Sequence, residues 1–287
     1  LSDVPDTSHV EVVAKRILAT LSEPIALQSH NPVVTPSIGI AIYPHDGEDP
    51  DTLVRNADTA MYVAKAEGRA CFRFYDEEMN SKAVEQLKME EELRDAMRNN
   101  ELELRYQPQI DTASGRVVSL EALVRWKHPI RGMVSPLEFI PVAERTGQII
   151  ELGEWVMGEV ARHSLYWDSL GLNKFRICVN ISPLQFNQSN LPEWIADFLG
   201  HSGLEPGRLE LELTESAIMT DAETNIAKLR ELKSLGLQLA VDDFGTGYSS
   251  LSYLKRFPID TLKIDQSFVA DLDNADGMAI VDAIIAL

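Results

Sequence analysis

From Val10 to Leu21 apolar residues recur every three or four positions, the stripe of an amphipathic helix. Pro24, Asn31, Pro32 and Pro36 then break the chain, and the run Ser37-Ile-Gly-Ile-Ala-Ile-Tyr43 reads as a buried strand. Asp51 to Gly68 predicts a second amphipathic helix, with Leu53, Ala57, Ala60, Met61 and Ala64 on one face, and Cys71 to Tyr75 a second strand. Residues 1–76 are therefore expected to form one compact α+β unit. Residues 77–100 contain neither Gly nor Pro and carry Met79, Ala83, Leu87, Leu93 and Met97 on one stripe, which predicts a connecting helix. With fewer than four clean heptads, a solvated linker is preferred over a signalling coiled coil.

Beyond Asn100 strands alternate with helices. The strands are Leu102–Gln109, Val117–Val124, Phe175–Asn180, Leu209–Thr214, Leu239–Asp242 and Thr261–Ile264, with helices over Ile150–Leu170, Leu191–His201 and Ala222–Leu235. Gly236 follows the last of these where a C-cap glycine belongs. This alternation predicts an α/β fold with a mostly parallel sheet, a (β/α)8-type barrel over residues 101–287. Closed barrels of this type need about 250 residues, so this one is expected to be incomplete at its C-terminus. The chain starts on Leu1 and closes with an apolar, uncapped segment from Met278 to Leu287, so both ends are expected to be internal to a longer protein.

A hydrophobic fraction of 45% fits a soluble globular chain, and no apolar run approaches the roughly 20 residues of a membrane span. The net charge of −19 excludes a broad basic face for a nucleic acid polymer. A phosphate ester bound here needs positive charge from another source. Cys71 and Cys178 sit in apolar stretches without disulfide or zinc spacing, so both are expected in the core of a cytoplasmic protein. Membrane anchoring through other segments of the parent protein is left open.

In parallel β/α folds the working side chains project from the C-terminal ends of strands. There this chain places Glu121, Asn180, Glu212 and Asp242 with Asp243. Crowded carboxylates repel one another and lose hydration, which calls for a cation, and an oxygen-only donor set selects Mg²⁺, Mn²⁺ or Ca²⁺ over zinc. Lys263 closes the sixth strand beside Asp265; it either joins the same mouth or neutralises Asp242 or Asp265. Asp243-Phe-Gly-Thr-Gly-Tyr-Ser-Ser-Leu251 makes a tight loop, read as shaping the site or an interface rather than as a phosphate cradle, because it lacks basic residues. Arg125 is either a phosphate contact, through its planar fork, or a solvated surface residue.

Six ordered motifs carry a resemblance: Tyr106-Gln-Pro, Glu121-Ala-Leu-Val-Arg-Trp126, Val179-Asn-Ile-Ser182, Glu212-Leu-Thr-Glu215, Asp242-Asp-Phe-Gly-Thr-Gly-Tyr248 and Leu262-Lys-Ile-Asp265. Residues 100–287 thereby resemble EAL domains, which are cyclic di-GMP phosphodiesterases. The resemblance implies a TIM-like barrel in which two Mg²⁺ or Mn²⁺ ions help water open one phosphodiester of cyclic di-GMP, giving linear pGpG. It implies metal ligands at Glu121, Asn180, Glu212, Asp242 and Asp243, with Lys263 near the attacking water and Glu215 holding the loop from Asp243 to Leu251. Gln107, Leu123, Arg125 and Asp265 resemble nucleotide-contacting positions. Family members often dimerise after the fifth strand, which makes residues 243–251 the expected homodimer interface. EAL domains also carry a later Glu motif and a Gln motif that do not occur before Leu287, so the 287 residues alone are expected to turn over little substrate.

Ser37-Ile-Gly-Ile-Ala41, Ala57-Asp-Thr-Ala-Met-Tyr62 and Ala64-Lys-Ala-Glu-Gly-Arg69 resemble the second half of a GGDEF domain. By that resemblance Lys65 and Arg69 are remnants of a GTP site. The organisation is then a partial GGDEF domain at 1–76, a connecting helix at 77–100 and an EAL domain at 101–287. The alternatives are a catalytically silent cyclic di-GMP receptor and a bifunctional cyclase and phosphodiesterase.

Overall fold

The computed structural model describes residues 7–22, 35–66, 70–172, 175–245, 251–270 and 275–285. The chain divides into two compact units, Leu1–Glu92 and Leu93–Leu287. The division falls within the single helix Glu77–Arg98 rather than at either end of it.

In the first unit the helix Thr7–Leu21 precedes strand β1 (Ile38–Ile40), the helix Pro50–Ala66 and strand β2 (Phe72–Phe74). β1 and β2 pair in parallel, Gly39 opposite Arg73. Both strands are shorter than the apolar runs predict. Ala60 and Ala64 of the helix are fully buried, so small side chains let the helix lie close to its neighbours.

The second unit is built on β3 (Leu102–Ile110), β4 (Val117–His128), β5 (Gly132–Val134), β6 (Arg176–Ile181), β7 (Leu209–Thr214), β8 (Gln238–Phe244) and β9 (Thr261–Ile264). The sheet order is β3-β4-β6-β7-β8-β9, with β5 paired to β4. From β4 through β6, β7, β8 and β9 every neighbour is parallel, whereas β3 and β4 are antiparallel. Residues 111–116 explain that departure. Asp111 Oδ1 accepts the Ser114 amide at 2.7 Å in a turn too short for a crossover helix. With helices on the outer face of its parallel strands, the unit is a TIM-barrel-like α/β fold.

Two expected boundaries change. β4 runs on to His128 because its last residues pair with β5, so Glu121 is mid-strand and not late in it. Its parallel pairing with β6 covers only Ser119–Ala122, however, which still puts Glu121 at the C-terminal edge of the shared ladder. The helix Pro136–Thr146 is an addition, capped by Ser135 and Glu138 in a reciprocal box.

Along β7 the sequence Leu-Glu-Leu-Glu-Leu alternates. Leu209, Leu211 and Leu213 join Ile177, Val179, Leu239 and Val241 in a core packed against Val160, Ile195 and Leu229 of the outer helices. The opposite face carries Glu210 and Glu212, each 1% exposed. Burying carboxylates on that face is costly unless charge is supplied there. Among the described residues, no helix is long and apolar enough to cross a membrane.

Candidate active site

The inward alternation of four parallel strands brings Glu121 (β4), Asn180 (β6), Glu212 (β7) and Asp242 (β8) to one point. Asn180 Nδ2 donates to Glu121 Oε1 at 2.9 Å. Lys263, from β9, reaches Glu212 Oε2 at 2.5 Å, Asp242 Oδ2 at 2.8 Å and Glu121 Oε2 at 3.3 Å. One ammonium therefore contacts three carboxylates. Asp265 is not its partner: that carboxylate accepts from the Ser267 amide at 2.9 Å and from the Ser267 hydroxyl.

Three negative charges around a single cation leave an excess, and the electrostatics show it. Burial, with further contributions from Glu121 and Asp242, pushes the Glu212 carboxyl up to about 7 despite the lysine bonded to it. Its second oxygen, Oε1, is buried with no hydrogen-bond partner. Burial pulls Lys263 down, but hydrogen bonds to Asp242 and Glu212 outweigh that and hold it above an ordinary lysine. Burial and the adjacent Asp242 raise Asp243 as well. An oxygen-only cluster with one buried acceptor unfilled suits a hard divalent cation.

The end of β8 aims the two aspartates. Its register with β9 shifts between Val241 and Phe244, and Asp243 sits at φ 53°, left-handed for a non-glycine residue. Such bulges and backbone strain are how a strand end turns consecutive side chains apart. Glu215, 2% exposed at the start of the helix Glu215–Met219, accepts the Gly245 amide at 2.8 Å and ties β7 to the chain leaving β8. Residues 246–250, most of the predicted interface loop, lie outside the described residues.

Glu210 stands two residues before Glu212 on the same inward face. One ligand atom each from Cys178, Glu210 and Glu212 lie within 4.8 Å of one another. Arg176 Nε approaches Glu210 Oε2 at 3.0 Å, an ion pair by distance although its N–H is not aligned for a hydrogen bond. Burial pushes the Cys178 thiol well up, so it stays protonated. A charged arginine and a neutral thiol make this lower cluster a poorer cation site than the upper one.

A cleft of about 480 Å³ opens beside the carboxylates. Its walls include Leu123 and Arg125 from β4, Leu137, Ile140, Pro141 and Glu144 from the helix Pro136–Thr146, and Asn180, Glu212 and Asp243. Gln107 and Asp265 are not among its lining residues; Gln107 is exposed on β3, opposite Glu121 in register. Arg125 Nη1 donates to the Val124 carbonyl at 2.8 Å. In the first unit Lys65 is exposed on the last turn of Pro50–Ala66, while Arg69 lies outside the described residues.

The family model for the EAL domain matches residues 90–287. The chain belongs to the EAL domain family. Ahead of it, the model for the diguanylate cyclase GGDEF domain matches residues 1–71. The bifunctional diguanylate cyclase/cyclic di-GMP phosphodiesterase MucR of Pseudomonas aeruginosa is 41% identical over the whole chain, which covers 42% of that protein. The cyclic di-GMP phosphodiesterase PdeR of Escherichia coli is 41% identical over 98% of the chain and 42% of its own length. The chain thus spans about two fifths of these relatives. A structure of the PaMucR phosphodiesterase in complex with c-di-GMP superposes with a TM-score of 0.67 at 42% identity, covering 69% of this chain and 81% of that one. An EAL region preceded by a GGDEF region is therefore the organisation of this chain.

Proposed function

We propose that the EAL unit hydrolyses one phosphodiester bond of cyclic di-GMP to linear pGpG, with Glu121, Asn180, Glu212, Asp242 and Asp243 holding two Mg²⁺ or Mn²⁺ ions. The observation that carries this reading is the convergence of three carboxylates on one point, with the buried Glu212 Oε1 unfilled, at the wall of a cleft large enough for a nucleotide. Such a cation pair supplies positive charge to the attacking and leaving oxygens of an in-line displacement.

The chain's own residues do the rest. Asn180 fixes the Glu121 carboxylate through a hydrogen bond, so that its other oxygen keeps one direction. Lys263, which hydrogen bonds hold above an ordinary lysine, keeps its proton and would hold the attacking water and the developing charge. Glu215 keeps the loop after β8 in place through the Gly245 amide. Leu123 offers an apolar surface to a base and Arg125 two donors to a phosphate; Gln107 and Asp265 contact the nucleotide at the rim. We place the domain limits at 1–76, 77–100 and 101–287, the activity in the cytoplasm, a homodimer contact at residues 243–251 and a GTP contact at Lys65 and Arg69 of the GGDEF region.

Incubation of the full-length protein with cyclic di-GMP and Mg²⁺, followed by separation of nucleotides, tests this reading. Formation of pGpG supports it. Tight binding without pGpG makes the protein a receptor instead.

A further inference from the structure

The helices Pro183–Phe186 and Glu215–Met219 have only four and five residues, too few to be stable alone, so their places depend on what the rest of the chain supplies at their ends. Each follows directly on a strand end of the acidic cluster. Ser182, the N-cap of the first, lies two residues past Asn180 on β6. Glu215, the first residue of the second, lies three past Glu212 on β7. A shift of either helix therefore passes along a very short stretch of backbone to a proposed cation ligand.

Both helices are finished from one place, the inner face of the helix Ala222–Ser234. Asn225, 4% exposed, donates through Nδ2 to the Ala217 and Ile218 carbonyls at 3.3 and 3.1 Å. Three residues on, and so on the same face, Lys228 donates through Nζ to the Phe186 and Gln188 carbonyls at 2.7 and 2.9 Å. Its ammonium also lies 5.2 Å from the centre of the Phe186 ring. The last carbonyls of a helix have no partner within it, and a cation there meets the negative end of the helix dipole. Burial pulls Lys228 below an ordinary lysine despite Glu231 and Glu193 nearby, so the ammonium is held at this point against its own hydration. Neither Asn225 nor Lys228 is among the residues that line the cleft.

Building on the reading of the acidic cluster as a cation site, we propose that Lys228 and Asn225 are positioning residues for it: by capping two short helices from one helix face, they hold Asn180 and Glu212 in the relative placement that cation binding needs. Neither touches the cation, the water or the nucleotide. Their effect falls on metal affinity and not on the chemical step, as expected of groups that act through the ligands.

Calorimetric titration of the full-length protein with Mg²⁺ in the absence of nucleotide, with backbone amide exchange followed on the same samples, provides the test. Lys228→Met keeps an unbranched stem and removes every donor, whereas Lys228→Arg keeps charge and donors. Glu223→Gln is the control, since it breaks an exposed pair between the same helix and Arg256. Lys228→Met is expected to weaken Mg²⁺ binding about 10- to 100-fold. It should also lose amide protection at Phe186 and Asn187, which donate to the Ser182 and Pro183 carbonyls, while β6 stays protected. Lys228→Arg should restore most of the affinity, and Glu223→Gln should match wild type. With cyclic di-GMP, kcat of Lys228→Met should fall at limiting Mg²⁺ and recover at saturating Mg²⁺, with KM little changed. Wild-type Mg²⁺ affinity in Lys228→Met, a loss equalled by Glu223→Gln, or a loss that arginine does not restore overturns the positioning role and leaves the phosphodiesterase reading standing. If Lys228→Met does not fold, Asn225→Ala carries the same expected loss and decides by Mg²⁺ affinity alone. A wild-type protein that binds neither Mg²⁺ nor Mn²⁺ overturns the cation site itself.

Discussion

Replacing Lys263 with methionine removes the only cation that touches Glu121, Glu212 and Asp242 among the described residues, while keeping an unbranched stem of similar length. Loss of one partner from a buried ion pair costs roughly 3–5 kcal/mol, because the remaining charge is left uncompensated. Here the Glu212 side chain is 0% exposed, but Lys263, Glu121 and Asp242 retain 21%, 17% and 22%, so water screens part of the loss. A cost of about 2–4 kcal/mol follows for the metal-free protein at pH 8. For a unit of this size that is a fall in melting temperature of about 4–16 °C. The loss should shrink at pH 6, where a Glu212 already near 7 takes up a proton and relieves the repulsion. Saturating Mg²⁺ should close most of the gap to wild type, since the added cation replaces the missing one. Thermal unfolding of both proteins at pH 6 and 8, with and without Mg²⁺, reads all of this. An unchanged melting temperature in metal-free Lys263→Met at pH 8, or a gap that Mg²⁺ leaves intact, refutes the electrostatic account of the cluster.

Glu121→Ala should reduce pGpG formation by at least about 10³-fold while the melting temperature stays within a few degrees of wild type, because it removes a cation ligand from the rim rather than from the core; undiminished turnover would end its role as a ligand. Glu212 carries a folded-state value near 7 against an unfolded value near 4.5, so in the metal-free protein its share of stability is present below about pH 4.5 and lost as pH rises through 7. A divalent cation must displace that proton, so Mg²⁺ binding should release close to one proton at pH 6 and almost none at pH 8; calorimetry in buffers of different ionisation enthalpy measures it, and no release at pH 6 contradicts it. In the first unit a Cβ at Gly39 would meet the Ala57 carbonyl at 1.9 Å and the Met61 amide at 2.3 Å, both backbone atoms. Gly39→Ala should therefore cost about 3 kcal/mol or more and abolish amide protection in Pro50–Ala66, while leaving β7 protected in the same hydrogen-exchange experiment.

The acidic cluster is legible in the sequence because β7 states its own geometry: Leu-Glu-Leu-Glu-Leu can bury leucines on one face only by turning glutamates to the other. Period-two alternation carries that information without any tertiary knowledge. Glu121 is legible by its motif and not by its place, since β4 continues to His128 on pairing supplied by a strand, Gly132–Val134, too short to stand out. Lys263 is half legible. Its charge and strand-end position are plain, but its partners are set by which strands lie beside β9 and by Ser267, two residues past Asp265, taking that carboxylate. The cleft wall formed by the helix Pro136–Thr146 escapes a reading centred on strand ends: its signal, the capping box Ser135-Pro-Leu-Glu138, marks a helix start and says nothing about which of its residues line the cleft.

Hydrolysis of cyclic di-GMP by the full-length protein in H₂¹⁸O, with mass analysis of the product, bears most directly on the central claim that this carboxylate site directs water onto a phosphodiester. The account predicts pGpG carrying one ¹⁸O on its terminal phosphate, formed with Mg²⁺, suppressed by a chelator and nearly absent with Glu121→Ala. A product without ¹⁸O, or one formed equally well in chelator, would contradict it.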